Sequence, residues 1–200
     1  TDLTWETTST IDVGLDLAFL RNRITFTADW YYKKTSGMLI EVPVAPVVGL
    51  SNPYDNLGEM HTNGWEITLG WKDTIGDFTY KVDFNLSDDV STMGDIQGKE
   101  VISSGKIIKE GVEYNSWYGY KSDGLFQTQE EVDNSACMGT QYPGDIRYVN
   151  LADAEGSAEI INAEYDRTVL GSSLPHFCFG GNINLYWKNL DFGLTFQGVG

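Results

Sequence analysis

The chain has 200 residues, with 13 basic and 29 acidic side chains and a formal net charge of −16. It contains no basic cluster, which argues against a nucleic-acid partner, because phosphate binding depends on clustered lysine and arginine. No run of ~20 apolar residues is present, so the sequence predicts no transmembrane helix. The two cysteines, Cys137 and Cys178, form no disulfide framework and are expected to be free thiols.

Six stretches alternate apolar and polar residues with a period of two, which is typical of strands with one apolar and one polar face. In the first stretch, Ile11, Val13 and Leu15 alternate with Asp12 and Gly14. None of the apolar-face positions in the six stretches is charged. The predicted strands span residues 8–20, 23–34, 64–72, 77–87, 176–187 and 190–198.

The links between these strands are alternately short and long. Short turns are predicted at 21–23, 73–77 and 188–189, and long loops at 35–63 and 88–175. Antiparallel order places all short turns on one side and all long loops on the other. Bacterial outer-membrane barrels have this asymmetry, with short periplasmic turns and long external loops. The pattern predicts an all-β fold, an antiparallel transmembrane β-barrel segment of about six strands in three hairpins.

The positions of large aromatic residues agree with this interpretation. Trp71 and Trp187 lie at the turn ends of predicted strands, whereas Trp30, Tyr32 and Trp65 lie at the loop ends. Two aromatic belts of this kind mark the two membrane interfaces of a barrel. Because six strands leave two open edges, which do not persist in lipid, we expect further strands from sequence outside this chain. The finish inside the strand-like run 196–200 also favours a truncated chain.

A soluble β-sandwich explains the alternation equally well, since each of its sheets buries one apolar face. This alternative predicts a carbohydrate-binding module that is monomeric and stable without detergent. It explains the alternation of short and long links less well. A passive pore without energy coupling is a second alternative.

Each long link is expected to contain some ordered structure of its own. The 88–175 link is too long to be structureless by ordinary loop statistics. Thr128 followed by Glu131 is the pattern of a capping box and predicts a helical turn over 127–132. Short strands are predicted at 107–108 and 146–149, and an extended segment at 38–44 of the other link.

The links also carry an ordered set of short strings, each of them weak alone. They are LTWE at 3–6, GLD at 14–16, NLGEM at 56–60, NGWEI at 63–67, SWYGY at 116–120, DGLFQ at 123–127, PGDIRY at 143–148, DRTVLG at 166–171 and FQG at 196–198. Together and in this order, they closely resemble the C-terminal part of the SusC/RagA family of TonB-linked outer-membrane proteins.

This resemblance implies a part of a 22-stranded barrel with the plug domain absent, residues 1–200 being barrel wall and external loops. It implies an importer of oligosaccharides, or of peptides in RagA-like members, located in the outer membrane of a Gram-negative bacterium. The implied partners are a SusD-like surface lipoprotein, TonB through an N-terminal region, the outer-membrane lipid and the cargo. No enzyme activity is expected.

Many relatives carry an Asp-rich, Gly-containing segment after the Pro-Gly-Asp-Ile string that resembles a calcium loop. Here that stretch keeps only Asn150, Asp153, Glu155 and Glu159 as oxygen donors, and their spacing is irregular. We therefore predict no metal or other cofactor.

No catalytic arrangement is recognisable in the sequence. The ligand candidates are the clustered loop aromatics, because flat rings with polar tips suit sugars and extended peptides. These are Tyr114, Trp117, Tyr118 and Tyr120. Packing of the long loop's own small core is the alternative role. Five acidic residues on the polar faces are expected to line the lumen, where they tune passage, solvate the interior or pair with Lys33 and Lys81. These are Asp12, Asp16, Asp29, Glu66 and Asp83.

Overall fold

The computed structural model describes residues 3–41, 53–151 and 160–200, which are mostly β-strand. The chain divides into two compact units: a sheet unit of residues 1–99, 109–114 and 174–200, and a loop unit of residues 100–108 and 115–173. The elements are β1 (Thr7–Phe19), β2 (Ile24–Glu41), β3 (Tyr54–Ile75), β4 (Phe78–Met93), β5 (Val101–Ser103), β6 (Lys106–Ile108), β7 (Ser116–Tyr120), β8 (Ser122–Leu125), α1 (Gln129–Asp133), β9 (Ile146–Tyr148), β10 (Arg167–Gly171), β11 (Phe177–Trp187) and β12 (Leu190–Val199).

The sheet unit is built on one antiparallel sheet with the strand order β1-β2-β3-β4-β11-β12. Its register aligns the apolar positions of neighbouring strands in rows. Ala28 pairs with Ile67, Ile67 with Leu86, and Leu86 with Phe179. Because side chains alternate along every strand, one face of the sheet is apolar and the other polar. The predicted fold class, with six strands in three hairpins, is confirmed, and the sheet does not close into a barrel within these residues.

Large apolar side chains on one face of this sheet are exposed to solvent among the described residues. Ile11 and Val13 are each 61% exposed, Trp71 52% and Phe192 56%. A sandwich would bury these side chains, since burial of its inner faces is what stabilises it. The exposed apolar face therefore agrees with the predicted barrel segment, and the described residues form no sandwich.

The short turns use residues with positive φ angles. Leu20, Arg21 and Asn22 have φ of 51°, 59° and 64°, and Gly76 and Lys188 have φ of 60° and 54°. Left-handed residues of this kind turn the chain sharply between twisted strands.

The turn predicted at 73–77 is too long. The pairing continues to Ile75 opposite Phe78, so that only residues 76 and 77 form the turn.

The loop predicted at 35–63 is also too long. β2 continues to Glu41 and β3 begins at Tyr54, so strand pairing includes much of this segment. The alternation of apolar and polar residues fades beyond Lys34, but backbone pairing does not depend on it. A register shift beside Gly37, with φ of 71°, preserves the ladder. The side chain of Asn56 donates to the carbonyl oxygens of Thr4 and Gly37 at 2.9 and 2.7 Å.

The predicted extended segment at 38–44 agrees with β2 up to Glu41, and residues 42–44 lie outside the described residues. The strand predicted at 77–87 is also too short, since β4 runs to Met93.

Several glycines of the sheet lie beneath aromatic rings of a neighbouring strand. A Cβ added at Gly64 would lie 2.1 Å from Cζ of Tyr31, and one at Gly181 would lie 2.7 Å from Cζ of Phe196. A ring laid across a glycine replaces the packing that the missing side chain cannot provide. These positions therefore accept no larger residue unless the ring or the backbone moves.

The loop unit has a four-stranded sheet in the order β10-β7-β6-β5 and a separate two-stranded sheet of β8 and β9. Its buried apolar side chains are Ile107, Phe126, Val132 and Ile161. The predicted helical turn is confirmed as α1, with Thr128 as the N-cap whose side chain accepts from the N–H of Glu131. The short strands predicted at 107–108 and 146–149 are β6 and β9. None of the described helical residues forms a segment long and apolar enough to cross a membrane.

Candidate functional site

The five acidic residues expected to line the lumen lie on the polar face of the six-stranded sheet. Asp16 accepts a hydrogen bond of 2.8 Å from the hydroxyl of Thr27. Asp83 lies 2.9 Å from Nζ of Lys81, which agrees with one of the two expected ion pairs. Asp12 pairs in register with Tyr31. The alternation thus brings the five carboxylates to one face, because β-sheet register aligns residues of like parity.

Asp29 and Glu66 lie directly opposite each other on β2 and β3. Like charges in this position repel, at a cost of a few tenths to about 1 kcal/mol. The Asp29 carboxylate lies over Gly14, where an added Cβ would be only 2.5 Å from its Oδ1. The glycine thus leaves room on β1 for a charged group from β2.

The sequence predicts an ion pair between Lys33 and an acidic residue, whereas the structure shows Lys33 in contact with an aromatic ring. Its Nζ lies 4.4 Å from the centre of the Tyr31 ring, in a cation–π contact. Sequence reasoning also missed further charged residues of the polar face, Asp89 and Lys72 among them. Asp89 lies on β4 beyond the predicted strand end, and Lys72 pairs in register with Lys81. Extending the period of two past residue 87 would have found Asp89.

We expect Glu66→Gln to raise the stability of the full-length protein by about 0.5 kcal/mol, because it removes the repulsion with Asp29. The measurement is the temperature at which the folded band is lost when samples are heated in steps before SDS gel electrophoresis. Asp83→Asn is the matched control, since it loses an attraction to Lys81 instead. A fall or no change in stability for Glu66→Gln would show that the pairing of Asp29 with Glu66 is not repulsive.

The apolar face ends in a polar network at the ends of β2 and β3 remote from the short turns. The Tyr32 hydroxyl lies 2.5 Å from Nδ1 of His61, and Nε2 of His61 lies 2.9 Å from Oε1 of Glu59. Lys34 places its Nζ 2.5 Å from the same oxygen. Two residues nearer the turns than Tyr32, Trp30 lies opposite Trp65. The change from tryptophan to a charged network is abrupt, as expected at a boundary between lipid and water.

The four loop aromatics belong to two different units of the structure. Tyr114 belongs to the sheet unit, where its N–H donates to the carbonyl oxygen of Ser91 at 2.7 Å. The others lie on β7, where Trp117 points to the opposite face from Tyr118 and Tyr120 by strand alternation.

Each β7 ring has its own neighbour in the loop unit. Lys106 lies 4.8 Å from the Trp117 ring, Arg167 lies 5.2 Å from the Tyr118 ring, and the rings of Tyr120 and Tyr148 lie 5.4 Å apart.

Among the described residues, no group of three or more histidine, cysteine, aspartate or glutamate side chains is arranged to hold a metal ion. Of the four oxygen donors considered for calcium, only Asn150 is described, and Asp153, Glu155 and Glu159 lie outside the described residues. The thiols of Cys137 and Cys178 are both free.

The chain is similar in sequence to curated bacterial receptors. It is 32% identical over 210 residues to TonB-dependent receptor P26 of Formosa agariphila, which covers 99% of this chain and 20% of that protein. It is 34% identical over 70 residues to TonB-dependent receptor SusC of Bacteroides thetaiotaomicron, covering 34% of this chain and 7% of SusC. The chain thus spans about a fifth of the P26 receptor.

Solved structures share its fold. The RagAB peptide importer in its open-open state matches with a TM-score of 0.78 and 20% identity, over 99% of this chain and 21% of that chain. The closed-closed state gives a TM-score of 0.77.

The sequence model of one family, described as TonB dependent receptor-like, beta-barrel, matches residues 1–194. This match covers the two-faced sheet and the loop unit alike. The chain therefore belongs to the TonB-dependent receptor β-barrel family.

Proposed function

We propose that this chain forms part of the barrel wall and outer loops of an importer that takes up oligosaccharides. TonB supplies the energy in this proposal, and a SusD-like surface lipoprotein captures the cargo. The family consists of outer-membrane receptors and transporters, which are not enzymes. Since the chain spans about a fifth of its curated relatives, the activity, cargo and partners belong to the whole protein.

The observation that carries the proposal is the apolar band on one face of the sheet. From Trp65 to Ile75, about ten residues at ~3.3 Å each and a tilt of ~40° span roughly 25 Å across a bilayer. Trp30 and Trp65 bound this band on one side, and Trp71 lies near the other. Beyond the tryptophans the network of His61 and Glu59 begins. The span of roughly 25 Å from Trp65 to Ile75 equals the height of the lipid-facing band in an outer-membrane barrel.

The polar face suits a lumen through which hydrophilic cargo passes. Besides its charges, it presents hydroxyl and amide side chains, which offer hydrogen-bond donors and acceptors to a polyhydroxylated molecule. They include Thr25, Thr27, Thr68, Asn85, Asn182, Asn184, Thr195 and Gln197. The hydroxyl of Thr195 already donates to Asn182 at 2.8 Å. Oligosaccharides match such a wall without requiring a charge.

The test is purification of the native full-length protein from detergent-solubilised outer membranes, followed by mass spectrometry and uptake assays in cells with and without TonB. A large barrel with a bound surface lipoprotein, and TonB-dependent uptake of a glycan, are the expected results. Uptake of peptides alone would show that the cargo is peptide and not oligosaccharide. Uptake independent of TonB would indicate a passive pore, and a soluble ~22 kDa species without membrane association would overturn the proposal.

A further inference from the structure

A pocket of about 350 Å³ opens within the loop unit, between the β8–β9 sheet and the segment that follows α1. Its lining includes Asp123, Ser135, Ala136, Arg147, Tyr148 and Asn150. None of these residues is among the four aromatics considered from the sequence. The pocket has the size of a small ligand site, and its lining combines charged, hydroxyl, amide and aromatic groups.

The most specific feature of the pocket is a fixed pair of opposite charges. Nη2 of Arg147 donates to Oδ2 of Asp123 at 2.8 Å and to the carbonyl oxygen of Asp123 at 3.1 Å. Both bonds come from the same nitrogen, and Nε of Arg147 is buried without a hydrogen-bond partner among the described residues. A guanidinium has several N–H donors in a rigid fork, so this one retains donors beyond the ion pair.

The acceptor side of the pair is open to solvent. The side chain of Asp123 is 61% exposed, whereas that of Arg147 is 33% exposed. Donor and acceptor therefore lie side by side at the pocket wall, held by the β8–β9 pairing. Because the opposite charges largely cancel, a strongly anionic ligand gains little here.

An aromatic side chain completes the lining. Tyr148 contacts Tyr120 with ring centres 5.4 Å apart and planes inclined by 48°. The backbone beyond it is also fixed, since the N–H of Val149 donates to the carbonyl oxygen of Lys121 at 2.8 Å. The supported ring offers a flat surface with a polar tip.

We propose that this pocket binds one unit of a neutral oligosaccharide. Each hydroxyl of a sugar both donates and accepts hydrogen bonds, and neighbouring hydroxyls match the adjacent donors and acceptors of Arg147 and Asp123. The hydroxyl of Ser135 supplies a further polar group, and Tyr148 suits an apolar ring face. Peptides are disfavoured, since the small Ala136 leaves no deep apolar side-chain pocket. The inference rests on the proposed function and adds a binding subsite in the loop unit for its oligosaccharide cargo.

The test measures binding to the purified full-length receptor by isothermal titration calorimetry. The probes are maltohexaose, xylohexaose, mannohexaose and cellohexaose as neutral sugars, with hexagalacturonate and pentaalanine as charged and peptide comparisons. At least one neutral hexasaccharide is expected to bind. Arg147→Gln is expected to weaken its binding at least tenfold.

A second variant separates binding from folding. Ser135→Tyr fills the pocket while keeping the Arg147–Asp123 pair, and it is expected to weaken binding at least tenfold as well. Thr140→Tyr adds the same side chain at an exposed loop position outside the pocket lining and is expected to leave the affinity within twofold. Hydrogen exchange is expected to show sugar-dependent protection of residues 121–125 and 146–150 in the unmodified protein.

Three results would overturn the inference: no neutral sugar binds, only hexagalacturonate or pentaalanine binds, or Ser135→Tyr binds the sugar as the unmodified protein does. TonB-dependent glycan uptake alongside any of these results would leave the importer proposal standing and remove only this subsite. If cells with the unmodified protein take up no glycan, the importer proposal itself is contradicted.

Discussion

Replacing Ile67 with arginine is expected to destabilise the full-length protein by about 2–4 kcal/mol, whereas the same change at the next residue, Thr68, has a much smaller effect. Ile67 lies in the middle of the apolar face, between Ala28 and Leu86 of the neighbouring strands. A guanidinium at the middle of a bilayer carries this cost, because lipid cannot solvate it. Thr68 points to the polar face, where water and polar groups can solvate the new charge.

The measurement is the urea midpoint for loss of the folded, heat-modifiable band of the full-length protein in outer-membrane preparations. Thr68→Arg is a matched control, since the added atoms, charge and strand are identical and only the face differs. Equal destabilisation by the two variants would contradict the assignment of faces. A larger effect at Thr68 would reverse it, placing the polar face toward lipid.

The sheet could be predicted from the sequence because strand alternation and membrane burial produce the same pattern at every position. From Ile24 to Trp30 each even residue is apolar, and the structure places these side chains opposite the apolar positions of both neighbouring strands. The turn at Lys188 was predictable in the same way, since it separates two such alternations.

The strand ends could not be predicted from the alternation. Only the part of a strand that contacts lipid needs an apolar face, and the strands continue beyond that part. Beyond Trp65 toward its start, β3 continues through His61 and Glu59, which form polar contacts on the face that is apolar further down. Backbone hydrogen bonds and scattered polar side-chain contacts stabilise this part of the sheet, and neither produces a period of two in the sequence. The loop predicted at 35–63 was too long for this reason.

The loop pocket was not recognisable from the sequence either. Its Asp123 and Arg147 lie 24 residues apart and meet only because β8 and β9 pair. The clustering of rings at 114–120 drew attention instead, yet strand alternation sends Trp117 and Tyr118 to opposite faces. Proximity in sequence within a strand separates side chains, whereas pairing across strands brings them together.

The glycines beneath aromatic rings make a second large effect predictable. We expect Gly181→Ala to destabilise the full-length protein by about 1–3 kcal/mol, the usual cost of overpacking. The new Cβ would lie 2.6 Å from the backbone oxygen of Asp83 and 2.7 Å from Cζ of Phe196. A ring can rotate away, but the Asp83 oxygen belongs to the strand ladder and cannot move without weakening it.

Gly193→Ala is the control on the adjacent strand, since its Cβ would meet only Oδ1 of Asn184 at 3.5 Å, an ordinary contact. The urea midpoint of the folded band is expected to fall for Gly181→Ala and to stay unchanged or rise slightly for Gly193→Ala. Adding Phe196→Leu to Gly181→Ala separates the two contacts. Recovery of most of the loss would identify the ring as the obstacle, whereas the backbone contact with Asp83 predicts little recovery. Equal stability of the two alanine variants would show that β4 and β11 can part at this row without cost.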